Sequence, residues 1–341
     1  MVTATLKLGA SAATALSYTD ETRQLAPIPA SERDLPTVTA EPYFKVSDDA
    51  MALEGPAYDR QGNLLFVECY GGCVLRLSPD GTLTTLHTDP KLRPAGIAIH
   101  KDGRIFVAGV GDFSAGAVVA LDPDGRNPRT IVPPKAGYVP DDLVFDRNGG
   151  FYFTDFKGLS THPTGGVYHV TPEFDLSRTE SPDRAFSSGV APFAVLPHMA
   201  SANGVALSPD GKVLWATEFC AGRLHRVDLN EDGSVAHFGS TIPYHFVGRA
   251  PDSMRTDADG NVYVAMYHQG RVLAFNSYGY PIGQILLPGR EKGHFLKSTS
   301  LAFVPGSREM VIVARDELGG RGSMIFRAQG LARGTTLFSH R

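Results

Sequence analysis

Pro140–Phe156 reads PDDLVFDRNGGFYFTDF: an acidic pair, an apolar alternation, an Asn-Gly turn, a second alternation and a closing acidic residue. Apolar residues at period two on both sides of a turn that needs positive φ describe a β-hairpin. The pattern recurs along the chain. EGPAYDRQG opens at Glu54, AGIAIHKDG at Ala95, NGVALSPDG at Asn203 and DSMRTDADG at Asp252. With Asp141 of the quoted stretch, each of these five opens eight positions before the Gly of its turn. SLAFVPGS, opening at Ser300, is the weakest copy, and successive openings lie 41, 46, 62, 49 and 48 residues apart.

Each copy continues alike. A second apolar strand follows the turn (LLFVE, RIFVAG, FYFTD, VLWATE, NVYVAM, MVIVARD), then a Gly-containing loop and a third strand such as CVLRLS or GRVLAF. A weaker fourth strand, such as TLTTL or IGQILL, can be drawn for most copies. No segment carries an amphipathic helical period, so the class is all-β. Six four-stranded repeats at this spacing predict a six-bladed β-propeller, with an open stack of sandwiches as the less even alternative. Residues 1–42 read as an extended arm and 43–341 as the propeller domain. TVTAEPYFKV (37–46) is able to lend the last blade a closing strand.

Composition sets the outer bounds. A chain of 341 residues with 42% hydrophobic and 20% charged residues is an ordinary globular protein, and 37 Gly with 24 Pro suit many short strands. A net charge of −4 without charge blocks argues against nucleic acid or an anionic membrane surface as partner. No stretch approaches the roughly 20 apolar residues of a membrane span. The first 16 residues hold one Lys and an apolar run diluted by Thr, Ser and Gly, which is a poor secretion signal; the expectation is a cytoplasmic protein, monomeric or weakly homo-oligomeric. Cys69, Cys73 and Cys220 have no second pair and no zinc spacing, and are expected as buried or half-buried free thiols.

First strands of propeller blades line the central channel, so Glu54, Ala95, Asp141, Asn203, Asp252 and Ser300 should form a ring. A single Asp or Asn before a strand is usually a turn or cap residue. Three carboxylates and an amide oxygen at one register are different, because unpaired they would repel one another severely. A bound cation removes that cost, and oxygen ligands without His or Cys point to a hard ion, Ca²⁺ ahead of Mg²⁺. Asp142 should point away from the channel by strand alternation and serve the blade. With Asp155 it is the reserve candidate for proton transfer. The loops between second and third strands carry Tyr70, Phe113, Phe156, Phe219, Tyr267 and His268, candidate substrate contacts around the ring, and residues 156–166 form the longest loop, a natural lid. His100, His198, His245 and His268 show no metal-binding spacing.

At these residues the chain resembles the calcium-dependent lactonases of the senescence-marker-protein/gluconolactonase superfamily, and within it the bacterial drug-responsive lactonase group. The likeness rests on TAEP (39–42), LEG and DRQG (53–62), IHKDG (99–103) and the 141–156 stretch. It continues through ANG (202–204), RLHR (223–226), PDS (251–253), and VAMY, QGRVL, GYPIGQIL and PGR within 264–290. It implies a six-bladed propeller and hydrolysis of a lactone or similar small ester. It also implies a catalytic Ca²⁺ on Glu54, Asp141, Asn203 and Asp252 with Ser253 beside them, and Asp252 as the proton-transfer residue. Tyr138 joins the implied substrate contacts. A second, structural calcium would fall at Ser114–Gly116 and Pro133–Tyr138, where Pro133 replaces an acidic ligand. His268 stands where Gly is usual and 248–251 is shortened, which implies a different substrate choice. Two further functions fit the same fold: a metal enzyme acting as isomerase or phosphotriesterase, and a binding propeller without chemistry.

Overall fold

The computed structural model describes residues 16–172 and 192–341. It is a six-bladed β-propeller: six sheets, each containing a four-stranded antiparallel blade, with Leu53–Tyr58, Pro94–Ile99, Pro140–Phe145, Ala202–Leu207, Pro251–Thr256 and Lys297–Phe303 as the first strands. Among the described residues the helices are single 3-10 turns such as Glu21–Arg23 and Ala30–Glu32.

The second strands explain the architecture. Leu64–Glu68, Ile105–Gly109 and Phe151–Asp155 are buried at every position, since each packs against a blade on both sides. Their alternate residues go to different neighbours: Leu65 and Val67 to blade two, Leu64 and Phe66 to blade six. Six apolar clusters result, one at each junction between adjacent blades, closing the ring between blades six and one.

The N-terminal segment serves two blades. Glu41–Ser47 pairs antiparallel with Ser323–Gln329 as the outer strand of blade six. Thr37–Thr39 runs parallel to Gln284–Leu286, a fifth strand on blade five. Ahead of them Glu32 sits 1% exposed against Arg271, 0% exposed, and the pair is ringed by Gln269, Gln284 and Tyr244. At the other end Phe338 packs edge-on to His100 at 5.0 Å, and Arg60 Nε donates to Ser339 O at 2.6 Å. Cys69 is buried and Cys73 half-buried, but Cys220 is exposed, because it lies in the turn that follows Glu218.

Candidate active site

Every first strand carries a β-bulge at its start. Register shifts fall between Glu54 and Ala57, Pro94 and Gly96, Pro140 and Leu143, Ala202 and Val205, Pro251 and Met254, and Ser298 and Ser300. A bulge re-aims side chains and breaks strict alternation. Here it lies beside the opening residues, of which Glu54, Asp141 and Asp252 interact electrostatically with one another. Blade six corrects the sequence register: Lys297 pairs with Arg315 and Ser298 with Ala314, as Pro140 pairs with Asp155, so Ser298 and not Ser300 occupies the sixth ring position. Ser298 Oγ donates to Met266 O at 2.9 Å.

Close approach of the strands depends on glycine. A Cβ on Gly204 would stand 2.6 Å from Asp252 O, and one on Gly96 would stand 2.5 Å from Asp141 O. Two buried threonines lock the carbonyls of two opening residues, Asn203 and Asp252. Thr154 Oγ1 donates to Asn203 O at 2.6 Å and accepts from Asp142 N at 2.9 Å. Thr217 Oγ1 donates to Asp252 O at 2.8 Å and accepts from Gly204 N at 2.7 Å. Sequence reasoning passed over both. Their one signal is Thr at a second-strand position where the other blades have Val67, Ala108, Ala265 and Ala314.

Asn203, Asp252 and Ser253 are buried, while Glu54 and Asp141 are partly accessible. Burial first, then the carboxylates of Asp252, Asp141 and Asp142, holds Glu54 well above the usual carboxylate range. Burial and the Asp141 charge do the same to Asp252, against the Ser253 N–H and the Asn203 amide, which favour its ionised form. Asp141 is pushed to about 8 by burial and by Asp142. Glu54 thus feels Asp252 and Asp141, and Asp252 feels Asp141. Among the described residues no three His, Cys, Asp or Glu side chains close on one another as metal ligands do. The donor chemistry of the ring nevertheless fits a hard cation: all donors are oxygens, and Asn203 Oδ1 is buried without any hydrogen-bond partner.

Without a cation the ring should make stability depend on pH. Asp141 titrates near 8 in the fold and at about 3.9 in an unfolded chain, so the folded protein holds a proton that the unfolded one releases. Stability is then fully present below the lower value and falls as pH rises through the window. Thermal unfolding in chelator on the two sides of that window checks the slope, and an upward slope would refute it.

Asp142 does not point away from the channel. Its Oδ2 pairs with Arg255 Nη1 at 3.0 Å and accepts from Val205 N at 3.3 Å, joining blade three to its neighbour blade four and to the first strand of the non-adjacent blade five. The bulge between Pro140 and Leu143 supplies the turn that alternation alone would not. Both Asp142 oxygens are occupied, Oδ1 by Leu143 N and Oδ2 by Arg255 Nη1. Asp155 Oδ1 accepts from Val139 N at 2.8 Å, while its buried Oδ2 has no hydrogen-bond partner and faces Lys157 Nζ 3.3 Å away as an ion pair.

The rim is assembled in part. Phe156, Phe219, Tyr267 and His268 form a continuous arc with ring separations of 5.5, 5.6 and 4.6 Å. Lys297 Nζ lies 4.2 Å over Tyr267, and Arg315 lies 5.8 Å over Tyr70. Phe113 is half exposed with Arg93 over its ring. Tyr138 stands apart from the arc, packed 5.3 Å from Phe153 and 4.6 Å from Tyr168 within blade three. The 156–166 loop is tied to the entry of blade four, where Ser201 N donates to Lys157 O at 2.8 Å. At the expected second-calcium loop, Ser114 donates through N and Oγ to Asp112 Oδ1, which also accepts from Ala115 N, and Gly116 N donates to Tyr138 O at 2.7 Å. No side chain of Pro133–Tyr138 is acidic. Lys297 and Arg315, the cations over Tyr267 and Tyr70, were invisible in sequence because only the pairing of two strands brings them together.

The family model described as the SMP-30/gluconolactonase/LRE-like region matches residues 53–314. A Staphylococcus saprophyticus protein named lactonase drp35 is 49% identical over 324 residues, covering 94% of this chain and 95% of that one. Among solved structures, a calcium-binding regucalcin from Agrobacterium tumefaciens superposes with TM-score 0.69 at 16% identity, over 89% of this chain and 99% of that one. A gluconolactonase from Xanthomonas campestris gives 0.62 at 20% identity, over 85% and 95%. At such identities the two structures speak for the fold alone.

Proposed function

The chain belongs to the SMP-30/gluconolactonase/LRE-like family, and on that premise we propose that it hydrolyses a lactone at the ring end of its channel. The observation that carries this is the convergence of three mutually repelling carboxylates with the unpartnered Asn203 Oδ1, on a chain half identical to a protein named a lactonase. A Ca²⁺ held by Glu54, Asp141, Asn203 and Asp252, with Ser253 beside them, would supply Lewis-acid polarisation of the ester carbonyl.

The chain's own residues do the rest. The Asp252 carboxylate is fixed by Ser253 N–H at 3.0 Å on Oδ1, and its backbone is fixed by Thr217. Held there, it takes a proton from the attacking water and returns it to the ring oxygen as the acyl carbon–oxygen bond breaks. Water adds to the carbonyl carbon, so the product is a hydroxy acid. Phe156, Phe219 and Tyr267 offer an apolar wall to the body of the lactone.

A panel of γ- and δ-lactones assayed with and without chelator tests this. The expected result is ring opening that chelator abolishes and Ca²⁺ restores, with a matching shift in melting temperature. Turnover indifferent to chelator would remove the metal from the mechanism. Calcium binding with no lactone opened would favour the isomerase, phosphotriesterase or binding functions of the same fold.

A further inference from the structure

Beside the carboxylate ring lies a cluster of opposite sign that the proposed hydrolysis does not use. Lys297 and Arg315 are directly paired across the first two strands of blade six, and their side chains are each only 10% exposed. Like charges set opposite one another in a sheet repel, and burial sharpens the effect. One carboxylate answers both: Glu317 lies 3.1 Å from Lys297 Nζ and 2.8 Å from Arg315 Nη2. It is itself 47% exposed and leads into a loop in which Gly319, Gly320 and Gly322 all have positive φ.

The remaining polar groups are arranged for a guest. Lys297 Nζ donates to Tyr267 Oη at 3.0 Å and Arg315 Nη2 to the same oxygen at 3.3 Å. With both cations donating to it, the Tyr267 hydroxyl keeps its own proton for another acceptor. Arg315 Nε is buried with no partner. His268 Nε2 lies 2.7 Å from Lys297 Nζ, and burial followed by the charges of Lys297 and Arg249 keeps its ring below the ordinary histidine range, hence a neutral acceptor. His268 holds φ at 67°, a backbone strain that a side chain accepts only where surrounding contacts impose it.

We propose that Lys297, Arg315, Tyr267 and His268 form a carboxylate-binding subsite, that Glu317 is its built-in occupant, and that the preferred lactone bears a carboxylate which displaces Glu317. This rests on the lactonase reading, and names the substrate class within it. The Arg315 guanidinium suits a bidentate carboxylate, while Lys297 adds a point charge. Arg315 also attracts Glu54, so a group bound here would sit against the ring that handles the ester.

Kinetics with γ-butyrolactone and with the same ring carrying a carboxylate on its γ carbon test the subsite. Wild type should prefer the charged ring. Lys297→Met should raise KM for it by about tenfold or more, as expected for a lost charge-assisted hydrogen bond, and so erase most of the preference for the charged over the neutral ring. Glu317→Gln, a change at a half-exposed side chain, should lower KM for the charged ring relative to the neutral one. Equal turnover of both rings, unaltered by either variant, would overturn the subsite while the lactonase function survives. If neither ring opens, the lactonase function fails on these substrates, and calorimetry of the open-chain dicarboxylate decides the subsite alone. Binding weakened by Lys297→Met supports it; no binding to wild type refutes it.

Discussion

Asp252→Asn is expected to lower kcat on any accepted lactone by about 10²–10⁴-fold, the usual share of a positioned acid–base group. The substitution keeps the size of the side chain and an oxygen for the Ser253 N–H, but an amide cannot carry the proton. It also removes one of the charges that raise Glu54. In chelator the variant should therefore melt no lower than wild type, and higher at alkaline pH. Loss of activity together with preserved or improved cation-free stability is the signature of a site held together against its own repulsion. Full activity in Asp252→Asn would move the proton-handling role elsewhere.

The second large effect lies outside the carboxylate ring, at the buried pair of Arg271 and Glu32. Arg271→Met should cost about 3–5 kcal/mol of stability, because it strands the wholly buried Glu32 carboxylate without its cation. Arg271 Nε also donates to Gln269 Oε1 at 2.9 Å and Nη1 to Gln284 Oε1 at 2.8 Å, and these acceptors lose their donor too. The double variant Glu32→Leu with Arg271→Met should recover most of the loss, since two apolar groups leave no orphaned charge. Urea denaturation of the three variants against wild type measures this. A single variant within about 1 kcal/mol of wild type would mean that water reaches the pair in the fold.

The hairpin of 140–156 was legible because its turn fixes the register of everything before it. An eight-residue offset from that Gly picked out Glu54, Asp141, Asn203 and Asp252 with no knowledge of how the blades meet. The same offset counted from Gly306 reaches Ser298, so blade six misled only where a poorer turn motif displaced the count to Ser300. Asp142 was misplaced for a different reason, since a bulge is a two-strand property that one strand's alternation does not record. Arg255, Lys297 and Arg315 acquire meaning only from partners in other strands or blades. Thr154 and Thr217 were readable in principle, as two hydroxyls in a column otherwise filled by Val and Ala.

The pairing of residues 41–47 with 323–329 also dictates a timetable. On the ribosome the first of these strands emerges long before its mate exists, and at roughly 5–20 residues per second the interval is on the order of tens of seconds. During that time the segment is an unpaired edge, the element most prone to join the wrong chain. Pro42 and Lys45 lie within it, one lacking a donor and the other charged, and both discourage such pairing. Ring closure is therefore a late event of synthesis, and the nascent chain carries its protection against aggregation in the same short strand that later seals the propeller.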